Sequence, residues 1–433
     1  MKHLFTILFA TVLALGGSPA SAAESPEAIA TRLLDHMDAN EYAAAEALFT
    51  PEMAAAVPAA TLKAVWESLP AQFGSANGRG KAEVTPHDGV QVVVVPLHYA
   101  NGELIAQVAV NADGKISGFL VQPAPPAPAA APAADASYLE RDFPVGNLPG
   151  TLAMPKDSAA AKIAGVVLVH GSGPHDRDET VGPNRPFLDI ARGLATQGIA
   201  VVRYEKRSKA RPQDFADGKY TMDLETTDDA VAAVAAMRAA PGINPDRVFV
   251  LGHSQGGMLA PRVAQRSGQV AGLILLAAPA RSLLTILPEQ NRYLLNADGR
   301  IDAQEQQLLD ELDRKIASVR GDTAMADQDT PLGLPAGYWR AFEKVDPVAD
   351  ARQLKLPMLL LQGGRDFQVV DTDWQLWKKG FPADPRATFK YYPALNHLGI
   401  AGKGPGTLAE YNTPGGHVDT QMIGDIGAWV REH

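Results

Sequence analysis

Short apolar runs alternate with amphipathic stretches along the larger, C-terminal part of the chain, from about Ser137 onward. Most of the runs are unbroken by polar residues, as expected for parallel strands that are buried on both faces of a sheet. The predicted strands are Val166–His170, Ala200–Tyr204, Arg247–Leu251, Leu273–Ala277, Met358–Gln362 and Thr388–Tyr392, and the predicted helices between them are Phe187–Thr196, Leu224–Arg238 and Met258–Arg266. This alternation predicts an α/β fold with a mostly parallel central sheet and helices on both faces.

The alternation is interrupted between about Leu283 and Asp350. Within this segment Asp302, followed three residues later by Glu305, is typical of a capping box at the start of a helix. Gly321 predicts the end of that helix. The apolar residues in between predict one buried helical face made of Leu308, Leu309, Leu312, Ile316 and Val319. We therefore expect a helical insertion, about residues 283–350, that covers the strand ends as a cap.

A smaller region, residues 24–122, has a different order of elements. Helical patterns come first, and the strand-like runs that follow end in a predicted hairpin with its turn at residues 111–114. The helices are predicted at Pro26–Ala39, Glu41–Phe49 and Ala59–Phe73, and the strands at Val90–His98, Glu103–Asn111 and Lys115–Val121. This order predicts a small α+β domain. With the phrase DHMDANEYAAAEALF, the region resembles the NTF2-like, or DUF3887-like, domain found ahead of some secreted bacterial hydrolases.

Two further segments are predicted to lie outside these domains. Residues 123–136 are rich in proline and alanine, which favours extended polyproline II and indicates a linker. At the N-terminus, Lys2 and His3 precede an apolar run that ends at Leu15, and small residues follow up to Ala23. This pattern predicts a cleaved signal peptide over residues 1–23, because about 12 apolar residues are too few to cross a bilayer. We expect a periplasmic or secreted protein without a membrane span.

The composition excludes several classes of partner and of chemical site. Lys and Arg number 39 against 49 Asp and Glu, a net charge of −10, and no basic cluster is large enough to follow a phosphate backbone, so we expect no nucleic-acid partner. The sequence has no cysteine, which excludes thiolate zinc sites, iron–sulfur clusters, cysteine nucleophiles and disulfides. We expect neither a cofactor nor a metal.

The strongest chemical signal is the sequence GHSQGG at residues 252–257, directly after the predicted strand RVFVL. Glycines at 252 and 256 flank Ser254 in the G-x-S-x-G spacing of a nucleophile on a sharp strand-to-helix turn. Such a turn has no room for a Cβ two positions before or after the serine, and it holds the hydroxyl exposed above the sheet. On this motif, the chain from about Ser137 onward resembles the α/β-hydrolase superfamily.

A second motif, HGSGPHDRDE at residues 170–179, follows the first predicted buried strand. In the superfamily this loop supplies one backbone N–H to the oxyanion hole, and the residue after the nucleophile supplies another. The resemblance implies Ser172 and Gln255 as these donors, with Gly173 or Gly171 as alternatives to Ser172. We expect the histidine that opens the motif to order the loop through hydrogen bonds, and the DRDE run to be structural.

The superfamily places its acid after a late strand and its histidine after the next one. Asp366 ends the segment MLLLQGGRD and fits the acid, whereas its rivals Asp371 and Asp373 are expected to begin the following helix in a capping role. His397 follows the next predicted strand on the loop PALNHL and fits the base. Its rival His417 precedes a predicted terminal helix, which favours a role as a cap or a surface group.

These resemblances imply a secreted serine hydrolase that cleaves small-molecule carboxylic esters through a Ser-His-Asp triad and an acyl-enzyme intermediate. The phrase HGSGPxDRDE itself resembles a subgroup of bacterial esterases. One alternative is a serine peptidase or aminopeptidase of the prolyl-oligopeptidase type, which a large gating domain would favour. The other is a non-catalytic binding module on the same fold, which the loss of a triad residue would favour.

Overall fold

The computed structural model describes residues 24–433 except residues 88, 101, 125–128, 157–161 and 322–326. The described residues form two compact units, the first up to residue 124 together with Asn412–Pro414, and the second from residue 129 to Tyr411 and from Gly415 to His433. The predicted signal peptide, residues 1–23, and residues 125–128 of the predicted linker lie outside the described residues. In the part of the chain that is described, no helix is long and apolar enough to cross a membrane.

In the first unit, helices precede an antiparallel sheet. Its described elements are α1 (Pro26–Asp38), α2 (Tyr42–Glu46), α3 (Pro51–Ala56), α4 (Ala59–Phe73), β1 (Ala76–Arg79), β2 (Glu83–His87), β3 (Val90–Tyr99), β4 (Gly102–Val110) and β5 (Ile116–Pro123). The predicted hairpin is confirmed, because β4 and β5 are antiparallel and the Gly114 N–H donates to the Asn111 carbonyl at 3.1 Å. The sequence pattern misses α3, β1 and β2; β1 and β2 are mostly exposed and carry little apolar signal.

The second unit is built around a mixed sheet in which parallel pairing predominates. Its described strands are β6 (Tyr138–Asp142), β7 (Gly150–Pro155), β8 (Ile163–Val169), β9 (Ala200–Tyr204), β10 (Ile243–His253), β11 (Leu273–Leu276), β12 (Met358–Gly363) and β13 (Ala387–Tyr392). Their order is β13-β12-β11-β10-β8-β9-β7-β6, parallel from β13 to β9 and antiparallel from β9 to β6. The predicted α/β fold is confirmed. The prediction misses β6 and β7, because β6 is an edge strand with a mostly polar, exposed sequence.

Helices cover both faces of this sheet. The described helices are α5 (Pro186–Ala195), α6 (Arg207–Ala210), α7 (Asp228–Ala239), α8 (Gln255–Ser267), α9 (Leu283–Leu295), α10 (Ala303–Arg320), α11 (Ala336–Glu343), α12 (Pro347–Gln353), α13 (Asp371–Gly380), α14 (Leu408–Tyr411) and α15 (Thr420–Glu432). Successive strand residues pack into different cores: Val166 and Leu168 into one, Val167 and Val169 into the other. This explains the unbroken apolar runs, since both faces of each central strand are buried.

The predicted cap corresponds to α9–α12, between β11 and β12. The capping box is confirmed: the Asp302 side chain accepts the Glu305 N–H at 2.8 Å, and the Glu305 carboxylate accepts the Asp302 N–H at 3.1 Å. The helix ends before Gly321, as expected. The prediction that Leu308 is buried is wrong, because it is 47 % exposed while its neighbour Leu309 faces inward. Adjacent helical residues point in different directions, so both cannot lie on one narrow buried face.

Candidate active site

Ser254 occupies the turn between the end of β10 and the start of α8. Its backbone has φ 53° and ψ −121°, a conformation that non-glycine residues rarely adopt. A Cβ on Gly252 would lie 2.2 Å from the Gly256 carbonyl oxygen, and a Cβ on Gly256 would lie 2.2 Å from the Val169 oxygen. Both flanking positions therefore require glycine, as the motif predicts. The Ser254 N–H donates to the Leu276 carbonyl at 2.9 Å, which fixes the turn against β11.

Asp366 and His397 meet beyond the carboxyl ends of β12 and β13. The His397 Nδ1 donates to the Asp366 Oδ2 at 2.8 Å, and both side chains are buried. The other carboxylate oxygen of Asp366 accepts the backbone N–H groups of Gln368 and Val369 at 2.8 and 2.9 Å. Asp366 is thus held by its own loop, and it fixes which ring nitrogen of His397 carries the proton beside it.

The rival residues have other partners. Asp371 and Asp373 lie in the first turn of α13, but Asp373 is fully buried and accepts the Ala280 and Arg281 N–H groups at 2.9 and 3.1 Å. The expectation that Asp373 caps its own helix is therefore wrong, because it holds the loop after β11. The side chain of His417 is 76 % exposed and pairs with a surface aspartate, while Asp419 is the N-cap of α15.

A second buried carboxylate–imidazole pair lies directly beside Ser254. The His253 Nδ1 contacts the Glu179 Oε2 at 2.9 Å, and its Nε2 contacts the His397 carbonyl oxygen at 2.9 Å. A carboxylate and a carbonyl can only accept, so both nitrogens of His253 donate and its ring is the imidazolium. Burial would lower the pKa of His253, but Glu179 outweighs it and raises that pKa. Burial would likewise raise the pKa of Glu179, whereas His253 holds it at about 2.

The loop after β8 lies against Ser254. A Cβ on Gly171 would be 3.3 Å from the Ser254 Cβ, so the two residues are close neighbours. The buried His170 ring contacts the Asp176 carbonyl at 3.1 Å and orders the loop as predicted. Burial lowers the pKa of His170 to about 3, so the ring is neutral near neutral pH. The Ser172 carbonyl contacts the His175 Nε2 at 2.7 Å, which fixes the next peptide of the loop.

The DRDE run is structural in part. Arg177 pairs with Glu205 at 2.9 Å, and Asp178 pairs with the buried Arg203. Glu179 does not pair with a basic side chain of the loop. It is 1 % exposed, has φ 51°, and contacts both the Gly171 N–H and His253, so it joins the loop to the turn of the candidate nucleophile. Sequence reasoning misses Glu179, because nothing in an acidic–basic run marks which side chain reaches the turn of Ser254.

A third buried acid, Glu225, lies on the far side of the same turn. It accepts from the Lys206 Nζ at 2.8 Å, from the Gln255 Nε2 at 3.0 Å and from the Tyr338 hydroxyl at 2.8 Å. Burial would raise the pKa of Glu225, but Lys206 outweighs burial and lowers it. Glu225 lies in a single π-helical turn, Asp223–Thr227, just before α7. Such turns are frequent at functional sites, but no sequence pattern marks this one.

The arrangement provides a strained serine, an imidazole with a carboxylate behind it, and backbone N–H groups at the start of α8. The first N–H groups of a helix have no intrahelical acceptor and attract developing negative charge. Within the described residues, no group of three or more His, Asp or Glu side chains is placed to hold a metal ion. The groups assembled here are those of nucleophilic acyl transfer.

Comparisons with known proteins place the chain in a family. Residues 161–400 match the family described as serine aminopeptidase, S33, and residues 30–119 match a family of unknown function, DUF3887. The chain is 33 % identical over 400 residues to esterase EstD of Thermotoga maritima, covering 92 % of this chain and 93 % of that protein.

Two solved structures are similar at lower identity. Est1E of Butyrivibrio proteoclasticus, solved with ferulic acid, is 16 % identical with a TM-score of 0.43, over 68 % of this chain and 100 % of that one. An esterase of Pyrococcus furiosus is 14 % identical with a TM-score of 0.44, over 71 % and 96 %. The family match spans more than half of the chain and the relative nearly all of it. The chain belongs to the α/β-hydrolase superfamily, within the family described as serine aminopeptidase, S33.

Proposed function

We propose that this protein hydrolyses carboxylic esters, with Ser254 as the nucleophile, His397 as the general base and Asp366 as the group that orients His397. The observation that carries the proposal is the buried hydrogen bond between His397 and Asp366, on loops that bring His397 beside the turn of Ser254. The ring of His397 lies 4.7 Å from that of His253, the residue before Ser254.

The proposed reaction has two halves. In the first, His397 takes the proton of the Ser254 hydroxyl as its oxygen attacks the acyl carbonyl, and then gives that proton to the departing alcohol. In the second, His397 takes a proton from the water that attacks the acyl-enzyme, and returns it to the Ser254 oxygen as the acid leaves. Asp366 remains ionised throughout and stabilises the imidazolium that forms in both halves.

The proposed oxyanion hole uses the N–H groups of Ser172 and Gln255. Gln255 is the first residue of α8, where the N–H is free of intrahelical bonds. The Gly171 N–H donates to the Glu179 Oε1 at 2.6 Å, which disfavours Gly171 as the loop donor and leaves Ser172, with Gly173 as its alternative. Gln255 is 1 % exposed, and hydrogen bonds to an oxyanion contribute most where water is excluded.

The choice of esters over peptides rests on the esterase from Thermotoga maritima, which matches this chain over nearly its whole length. The family description, serine aminopeptidase, keeps peptide hydrolysis as the second candidate. Short-chain p-nitrophenyl esters and aminoacyl anilides, assayed side by side, separate the two. Turnover of anilides without turnover of esters would contradict the ester proposal.

The nucleophile is tested with a fluorophosphonate probe. We expect the probe to label the protein at one site, and Ser254→Ala to abolish both labelling and ester turnover. Ser267→Ala, at the last residue of α8, is the matched control and should behave as the parent protein. Labelling that survives in Ser254→Ala would show that another residue is the nucleophile, and a parent protein that is neither labelled nor active would favour a binding module.

We also propose that residues 1–23 direct export and that the region up to residue 122 is a separate domain joined by a linker. The basic start, the short apolar run and the small residues before residue 24 support export. Expression of the full chain in a Gram-negative host, followed by N-terminal sequencing of the periplasmic protein, tests this. A protein that keeps Met1 and stays in the cytoplasm would contradict it.

A further inference from the structure

Gly171 is held on both sides by buried groups. Its N–H donates to the Glu179 Oε1 at 2.6 Å, and its carbonyl accepts from the Lys206 Nζ at 2.7 Å. Lys206 in turn pairs with the Glu225 Oε1 at 2.8 Å. Glu179 therefore holds the N–H of Gly171 directly, and Glu225 holds its carbonyl through Lys206.

The same two carboxylates bind the residues on either side of Ser254. Glu179 pairs with His253, and Glu225 accepts from the side chain of Gln255. Glu179 and Glu225 are each 1 % exposed. They therefore tie the loop after β8 to the turn after β10 at two separate points.

We propose that Glu179 and Glu225 are positioning residues that lock the Gly171 loop against the Ser254 turn, so that the N–H groups of Ser172 and Gln255 converge on one point. This inference rests on the proposed function and names the residues that set the geometry of its oxyanion hole. Neither carboxylate acts on the substrate itself. We name the pair the carboxylate clamp.

Two physical requirements favour this arrangement. Oxyanion donors stabilise the transition state only if they are held in place before the reaction, within about 0.5 Å of their productive position. A glycine-containing loop does not supply such rigidity by itself, whereas charge-assisted hydrogen bonds from buried groups do. The clamp fixes the peptide groups on both sides of Gly171, and the second of these, which Lys206 holds at its carbonyl, carries the Ser172 N–H.

The second requirement is charge balance near the developing oxyanion. An unpaired carboxylate beside that site would oppose the negative charge that forms there. Glu179 is balanced by the His253 imidazolium, and Glu225 is balanced by Lys206. Each carboxylate thus holds its arm of the clamp without adding net negative charge.

The test compares removal of each carboxylate with its conservative replacement. The variants are Glu179→Ala, Glu225→Ala, Glu179→Gln and Glu225→Gln, and the matched control is Asp373→Ala, another fully buried acid that holds a different loop. For each we would measure kcat and KM for a short-chain p-nitrophenyl ester, the inhibition constant of a short alkylboronic acid, and the melting temperature. The boronate forms a tetrahedral adduct with a serine nucleophile and so reports on the oxyanion hole.

We expect each alanine variant to lower kcat by about 100-fold, the loss typical of one oxyanion donor, with KM within about threefold of the parent value. Boronate affinity should fall in parallel with kcat. The glutamine variants keep an acceptor for the Gly171 N–H or for Lys206, and should recover at least about tenfold of the loss. Asp373→Ala should lower the melting temperature while kcat stays within about threefold.

The proposal would be wrong if the alanine variants fold and keep both kcat and boronate affinity within about threefold of the parent. If Glu225→Ala does not fold, Lys206→Met replaces it, because this change frees the Gly171 carbonyl and leaves Glu225 bound to Gln255. If Glu179→Ala does not fold, Glu179→Asp replaces it, because the shorter side chain keeps the charge but draws back from the Gly171 N–H, and an unchanged kcat there would overturn the clamp. An unchanged kcat in Lys206→Met would equally overturn the clamp. Parent protein that is labelled by a fluorophosphonate and cleaves esters keeps the proposed function intact in either case, so the two failures are distinguishable.

Discussion

Two buried carboxylate–imidazole pairs flank Ser254, and they differ in what the far nitrogen of each ring contacts. In the pair of Asp366 and His397, the ring's hydrogen bond within the described residues runs from Nδ1 to the carboxylate, which leaves Nε2 for the proton of the Ser254 hydroxyl. In the pair of Glu179 and His253, Nε2 is already occupied by the His397 carbonyl. Within the described residues, the far nitrogen of the second ring is therefore taken by a protein acceptor and that of the first ring is not.

This difference shows that a buried acid–histidine pair does not by itself identify a base. A general base needs one nitrogen free of a permanent acceptor, because it must bind the proton only during the reaction. His253 fails this criterion and instead supplies a positive charge and two hydrogen bonds to its neighbours. The predictions below test whether the two pairs have these separate roles.

The largest effect is expected for His397→Ala. Loss of the base should lower kcat/KM by at least about 10³-fold, because the Ser254 hydroxyl is then attacking without a proton acceptor. The melting temperature should change little by comparison. Ester kinetics and a thermal melt of the same preparation measure both quantities. If folded His397→Ala kept kcat/KM within about tenfold of the parent, the base would have to be another group.

A similar or smaller effect is expected for Asp366→Asn. An asparagine can present an N–H to Nδ1 and so favours the tautomer that cannot accept the serine proton, which should lower kcat on the order of 10³–10⁴-fold. Asp373→Asn is the matched control and should leave kcat within about threefold. The result that would contradict this assignment is a full loss of kcat in Asp373→Asn with an active Asp366→Asn.

The sequence predicts the first pair but not the second. Asp366 and His397 each follow a predicted parallel strand, and the carboxyl ends of parallel strands meet at one edge of the sheet. Chain order and strand ends are therefore enough to place them together. Glu179 lies at the far end of the loop after the predicted strand Val166–His170, so the strand end does not place it. It reaches His253 because its own backbone, with φ 51°, turns the side chain inward.

The same distinction holds for the fold. Five of the six predicted parallel strands, β8 to β12, are recognised because burial on both faces of the sheet favours apolar runs. The sixth, β13, is a partly exposed edge strand that is recognised by its aromatic and β-branched residues. The edge strand β6 is missed because only pairing with β7, and not apolar patterning, defines it. Glu225 is missed for a related reason, since its partner Lys206 lies on a distant segment and a charged pair leaves no periodic signal.

The second pair should also govern how stability depends on pH. The pKa of Glu179 is lowered to about 2, so its contribution is fully present above the unfolded value, near pH 4.3, and is lost as the pH falls through 2. The pKa of His253 is raised, so its contribution is present below about pH 6.5 and is lost as the pH rises through the raised value. At about 1.4 kcal/mol per pKa unit, the lowered pKa of Glu179 contributes about 3 kcal/mol to the free energy of unfolding above about pH 5.

Comparison of the parent protein with Glu179→Gln measures this contribution. The difference in unfolding free energy between the two should be largest between about pH 5 and 6.5, and should shrink on both sides of that window. Urea unfolding at a series of pH values provides the measurement. A difference that stays constant from about pH 3 to pH 9 would show that the pair is not ionised in the folded state.

The smallest effect is expected for His417→Ala. The side chain of His417 is 76 % exposed, and its contact with Asp189 at 3.1 Å is a surface pair of a kind that contributes about 0–1 kcal/mol. The N-cap of α15 is Asp419, so the helix keeps its cap when His417 is removed. Both kcat/KM and the melting temperature should therefore stay close to those of the parent protein, measured beside His397→Ala under identical conditions. If His417→Ala were inactive and His397→Ala active, both with unchanged melting temperatures, the general base would be His417 and not His397.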